Sequence, residues 1–165
     1  MKFSPSQRRA LSVWLALAAW VSGCATQGPG EVPGPMKQTE FQLAPDQVPA
    51  LGACRIWYVE LPAHVQPPAM SCGRAHSLAD RHGGKVLTAI SRKSFQDGRT
   101  LAMDYGPGRF ANVPPEMLPP PGYCRAWQDR TPDWKQPPAM PCLQAEQLVR
   151  QRGGRLLYMP GPELK

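Results

Sequence analysis

The sequence predicts an α+β protein: two tandem β-loop-α-β units, each stapled by one disulfide, after a disordered tether. Three observations carry that prediction. The stretch CRIWYVELPAHVQPPAMSC, residues 54–72, returns as CRAWQDRTPDWKQPPAMPC at 124–142, an offset of 70. Each copy holds two cysteines at the same spacing, with 17 residues between them. Past the second cysteine, apolar residues recur with a helical period and then meet a Gly-Gly pair.

The copies align without gaps across 52–87 and 122–157. Identical pairs include Gly52/Gly122, Arg55/Arg125, Trp57/Trp127 and Pro62/Pro132, and QPPAM stands at both 66–70 and 136–140. The matches run on through Ala75/Ala145, Leu78/Leu148, Gly83-Gly84/Gly153-Gly154 and Leu87/Leu157. A repeat longer than its cysteine bracket is a duplicated folding unit. The expected bounds are 49–90 for the first unit, 91–118 for a connector, 119–160 for the second unit and 161–165 for a tail.

Each element has a local reason. CRIWYVE and CRAWQD are short and carry aromatic residues, β-branched ones too in the first copy, so each reads as a strand. The loop to QPPAM cannot be helical, because proline pushes the preceding residue towards extended backbone. Cys72, Ala75, Leu78 and Ala79 then share one face of a helix, and Cys142, Ala145, Leu148 and Val149 repeat it. Ser71 suits an N-cap and Pro141 a first helical turn. The Gly-Gly pair ends each helix, and KVLTAI and RLLYM read as second strands. A bridge from helix start to strand start makes the two strands of a unit antiparallel, with the helix on one face. Two strands are marginal alone, so joining both units into one four-stranded sheet would help.

The N-terminus sets the compartment. Lys2, Arg8 and Arg9 precede an apolar run of 12 residues, Ala10 to Val21. That length suits a signal-peptide core and is too short to span a bilayer. The run closes on VSGC, Val21 to Cys24, which resembles the lipobox of bacterial lipoproteins. The resemblance implies that residues 1–23 are a cleaved signal and that Cys24 carries the lipid. Ala25 behind it implies the outer membrane, with the chain in the periplasm. Two or three acyl chains hold a protein far more firmly than one, so the membrane partner is engaged through Cys24. Residues 24–48, rich in Gly, Pro and polar types, read as the lipidated cysteine and a flexible tether.

Five cysteines are odd for an exported protein, and lipid on Cys24 leaves four. Four cysteines allow three pairings. Identical spacing within each copy selects Cys54–Cys72 and Cys124–Cys142, formed in an oxidising compartment. Each bridge is worth about 3 kcal/mol in the chain-entropy account.

Charge excludes little else. The full chain carries +7, with 19 basic and 12 acidic residues. Loss of residues 1–23 removes three basic and no acidic residues and leaves +4. That argues against nucleic acid as a partner; it suits a plain solubility surface, permits mild attraction to anionic lipid headgroups or cell-wall polymers, and leaves the cell wall or other envelope proteins as partners.

Few residues point to chemistry. Arg55 and Trp57 share a strand face, as do Arg125 and Trp127. This face is the candidate binding surface for glycan or peptide; its structural alternative is an arginine stem covering an indole. Cys72 and His76 have a metal-ligand spacing, with His64 and His82 nearby in sequence. Their second-copy equivalents are Trp134, Glu146 and Arg152, and a disulfide removes the thiolate, so no metal and no cofactor are expected. No nucleophile, metalloprotease or phosphate-loop motif is present. PPEMLPPPG reads as a polyproline lead into the second unit.

LPPPGYCRAWQDRTPDWKQPPAMPC, residues 118–142, resembles a proline-rich Cys-Arg-x-Trp…Gln-Pro-Pro…Cys element of uncharacterised exported bacterial proteins. That resemblance implies export and a disulfide, not an activity. The expectation is a non-enzymatic outer-membrane lipoprotein with a structural or binding duty. The alternatives are a cell-wall binding module that uses the Arg–Trp face, and an envelope enzyme or metal carrier.

Overall fold

A computed structural model of the chain describes residues 38–162. The expected signal peptide, residues 1–23, and the expected lipidation site, Cys24, lie outside the described residues. The first copy contributes β2 (Ala53–Trp57), β3 (Met70–Ser71), α1 (Cys72–His82) and β4 (Lys85–Ala89). The second contributes β6 (Cys124–Trp127), α3 (Cys142–Arg152) and β7 (Arg155–Tyr158). Strand β1 (Gln38–Gln42), helix α2 (Ser94–Asp97) and strand β5 (Arg99–Asp104) complete the chain. The fold is α+β, as the repeat predicts.

The duplication is kept down to the register. Antiparallel β2 and β4 pair Cys54 with Thr88 and Trp57 with Lys85; β6 and β7 pair Cys124 with Tyr158 and Trp127 with Arg155. Every partner is displaced by the same offset. Both disulfides are formed, Cys54–Cys72 and Cys124–Cys142, each with Cα atoms 4.7 Å apart. Each helix ends on a glycine at positive φ, 76° at Gly83 and 75° at Gly153, a backbone that a Cβ would strain. Ser71 sits at the N-cap position of α1. Pro141 is also an N-cap, one residue before the helical turn expected for it, and its carbonyl accepts from the Gln144 and Ala145 amides.

The two copies do not join in one four-stranded sheet. The first copy lies in a five-stranded sheet of order β1-β5-β4-β2-β3, while β6 and β7 form a separate pair. Strand β5, from the expected connector, takes the outer edge of β4, and β1 pairs in turn with β5. The tether expected over 24–48 is therefore structured from Gln38 onward. Phe41 explains part of this, because its ring lies 6.1 Å from that of Trp57.

The repeat also starts earlier than strand composition suggests. LAPDQVPALG at 43–52 matches VPPEMLPPPG at 113–122 at the same offset, with Pro45/Pro115, Pro49/Pro119 and Gly52/Gly122 identical. Both segments form a 3-10 turn, Pro45–Gln47 and Pro115–Met117. The Gln47 amide donates to Ala44 and the Met117 amide to Pro114, each at 2.9 Å. Both segments bury their first apolar residue, Leu43 or Val113, and their second matched proline, Pro49 or Pro119. Each unit thus begins with an arm at 43 or 113. Periodicity could not find the arm, because a proline-rich segment has no regular period.

Each copy is layered as arm, sheet and helix. In the first copy Leu43 and Val48 pack with Leu87, Ala89 and Ala102 on one sheet face. Helix α1 buries Ala75, Leu78 and Ala79 in the main core with Cys54, Ile56 and Val86. That core also takes in Phe110, Val113, Trp127, Leu157 and Met159, so the helix side of the first copy meets the arm side of the second. Tyr58 and Phe110 join edge to face there, with centroids 4.8 Å apart. Among the described residues, no helix is long and apolar enough to cross a membrane.

Candidate functional site

The arms decide the fate of the candidate Arg–Trp face. In the second copy Trp127 is only 4% exposed and belongs to the main core, with Met117 and Leu118 of the arm packed against that core. Arg125 is half-buried beside it, and its Nη1 donates to the Pro137 carbonyl at 2.5 Å. In the first copy Trp57 packs against the cluster of Leu43 and Val48. The Arg55 Nη1 donates to Gln47 Oε1 of the arm at 2.9 Å. Methionine replaces Gln47 at position 117, so Arg125 has no such acceptor and turns to the proline loop instead. Burial holds both guanidinium groups below their ordinary pKa, with Asp46 opposing the shift at Arg55. The two pairs stand where the sequence puts them, on one face, but that face is an internal seam between sheet and arm.

Trp57 reaches an opening. It lines a cleft of about 240 Å³ with Val59, Gly84, Lys85 and Asp104. Lys85 Nζ and the Asp104 carboxylate form an ion pair across β4 and β5. That bond and the Gly106 amide hold the Asp104 carboxyl below the usual carboxylate range. The cleft thus sets part of the Trp57 indole beside this ion pair.

The histidines are not gathered. His76 Nδ1 bonds the Tyr105 hydroxyl at 2.6 Å, His82 stacks on Tyr158 with centroids 5.0 Å apart, and His64 is exposed. Cys72 is spent in its disulfide. Among the described residues no three His, Cys, Asp or Glu side chains stand close enough to hold a metal ion. Burial, with Arg81 and Arg109 nearby, pushes the His82 pKa down to about 4. The Tyr58 hydroxyl is buried without a partner in the main core, and burial, Tyr158 and Glu60 raise its pKa.

Sequence reasoning passed over the glutamine of QPPAM. Gln66 Oε1 accepts from the Tyr58 amide at 2.9 Å, and its Nε2 donates to the Tyr58 and Leu61 carbonyls at 2.7 and 2.8 Å. Gln136 repeats all three bonds on Gln128 and Thr131, at 2.9, 2.8 and 2.7 Å. One amide side chain thus closes the turn where the first strand of each unit ends. Two prolines follow, which lack N–H groups and cannot supply the donors. The signal available was an identical polar residue inside an otherwise apolar phrase.

Comparison with protein-family models, curated proteins and solved structures finds no match to this chain.

Proposed function

We propose that the protein is a non-enzymatic lipoprotein of the bacterial outer membrane, held by lipid on Cys24. Its rigid tandem module would stand in the periplasm for structural or binding duty. The observation that carries the reading is what the duplication keeps. Cysteines, glutamine clamp and Gly-Gly turn are identical in both copies, whereas His64, His76 and His82 become Trp134, Glu146 and Arg152. A repeat that preserves its scaffold and changes its titratable side chains supports a module used for shape. The lipobox resemblance supports the anchor and the compartment. Replacing Cys24 by alanine and fractionating cells tests this: the variant should keep its signal peptide and lose lipid labelling. Unchanged processing and labelling would refute the anchor.

The Trp57 cleft favours a second reading, a cell-wall binding module that engages glycan or peptide at the first copy alone. Retention on purified peptidoglycan should fall in Trp57→Ala. Equal retention of variant and wild type would end that reading.

A further inference from the structure

We infer that a cleft where the two copies meet binds a free α-amino acid with an apolar side chain. The cleft measures about 270 Å³, small for a large ligand and enough for one amino acid. Leu78, Arg81 and His82 line it from α1, and Cys142 and Glu146 line it from α3. Their spacings put each set on one face of its helix. Cys124, Leu156 and Tyr158 line it from β6 and β7. The Cys124–Cys142 bridge ties the first residue of α3 to β6, and His82 of α1 stacks on Tyr158 with centroids 5.0 Å apart. Both helices are thus held in place before a ligand arrives. The residues that carry chemistry here are not repeated. Arg81, Glu146 and Tyr158 correspond to Gln151, His76 and Thr88 in the other copy.

Charge selects the ligand. Arg81 Nε donates to the Ser77 carbonyl of its own helix at 3.2 Å, and Arg109 Nη2 donates to the Arg81 carbonyl at 3.4 Å. Among the described residues neither guanidinium forms an ion pair. Burial and then Asp80 raise the Tyr105 pKa, so the acid next to Arg81 in sequence acts on Tyr105. Burial, Arg81 and Arg109 hold His82 neutral, with a pKa of about 4. On α3, Glu146 is half-exposed and reaches Arg150 only at 3.9 Å, a surface pair within one helix that contributes little. A cationic group and an anionic group thus line one cleft without pairing to each other. A lone carboxylate meets Glu146 there, and a lone amine meets Arg81 and Arg109, so each is disfavoured. An amino acid satisfies both: its carboxylate accepts from the Arg81 guanidinium, and its ammonium donates to Glu146. Its side chain lies against Leu78, Leu156 and the Tyr158 ring, the apolar part of the lining.

Isothermal titration calorimetry on the full chain in detergent, with L-leucine and D-leucine as probes, tests this. Leucine of at least one hand should bind with a Kd tighter than about 1 mM. Isocaproate is leucine without its ammonium, and isoamylamine is leucine without its carboxylate. Each should bind at least about tenfold more weakly than leucine. Arg81→Gln and Glu146→Gln should each weaken leucine at least about tenfold, as for loss of one charge-assisted hydrogen bond. Both side chains are exposed, so circular dichroism should be unchanged. Arg130→Gln, which removes an exposed cation outside the cleft, should bind as wild type does. No binding of leucine of either hand would overturn the proposal. So would isocaproate or isoamylamine binding as tightly as leucine, or a leucine affinity left intact by Arg81→Gln or by Glu146→Gln.

Discussion

Replacing Gln136 by alanine should unfold the second copy's turn at a cost that its three bonds allow to be worked out. The side chain is nearly buried and bonds the Gln128 amide, the Gln128 carbonyl and the Thr131 carbonyl within 2.9 Å. A neutral hydrogen bond contributes about 1 kcal/mol net, and a buried group left unpaired costs somewhat more. Water can reach part of the turn, because Gln128 and Thr131 are half-buried. The expected loss is about 3 kcal/mol, a fall in Tm of about 10 °C for a domain of this size. Glutamate at the same site sharpens the test. Its carboxylate can accept from the Gln128 amide but faces two carbonyls with no proton to give. Gln136→Glu should therefore be at least as damaging as alanine at neutral pH. Relative to wild type it should recover as pH falls through the carboxylate range, where the acid regains a donor. The folded pKa of that glutamate is raised, so its stabilising form is present at low pH and lost as pH rises, which sets the sign. Denaturant melts of wild type and both variants from pH 4 to pH 8 read this out. A loss below about 0.5 kcal/mol for alanine, or a glutamate penalty flat with pH, would refute the clamp.

Three further outcomes follow from the same contacts. His82 has a folded pKa near 4 against an ordinary 6.5, because burial and then Arg81 and Arg109 disfavour its cation. Its contribution is present above pH 6.5 and lost as pH falls towards 4; the shift corresponds to about 3 kcal/mol in full. Solvent screening of a half-exposed ring reduces this to about 1–2 kcal/mol, and His82→Gln should flatten the pH dependence of the melt in that window. Trp127→Ala should cost about 3–5 kcal/mol, as for a buried large aromatic, and Trp57→Ala clearly less, a contrast readable by thermal melts and absent if both indoles were surface platforms. Paired Cys124→Ser and Cys142→Ser should cost about 3 kcal/mol, measured by denaturant unfolding against the bridged protein.

Much of the unit was legible because its signals are local. The cysteine spacing, the apolar positions of α1 and the Gly-Gly turn each depend on a few neighbouring residues, and the structure places them as read. The second helix is a partial exception: its pattern equals that of α1, yet Leu148 and Val149 lack the partner that buries Leu78 and Ala79. Strand β1 was hidden because QTEFQ carries one apolar residue, and it forms only by pairing with β5, some sixty positions away. The arm was hidden for another reason. Its prolines look like linker composition, and only the burial of Leu43, Pro49, Val113 and Pro119 shows it covering a sheet. That cover also packs Trp127 into the main core and Trp57 against Leu43 and Val48. Alternation along a strand says which residues share a face, and it is silent on what lies over that face.

The central claim joins an anchor at Cys24 to two self-stapled copies, and one measurement reaches both. Non-reducing peptide mapping by mass spectrometry of the protein purified from its own envelope should give an N-terminal peptide that begins at Cys24 and carries acyl chains. The same map should contain Cys54 linked to Cys72 and Cys124 linked to Cys142. An N-terminus at Met1 or an unmodified Cys24 would contradict the anchor. A Cys54–Cys124 link or free thiols in the repeats would contradict the duplicated unit.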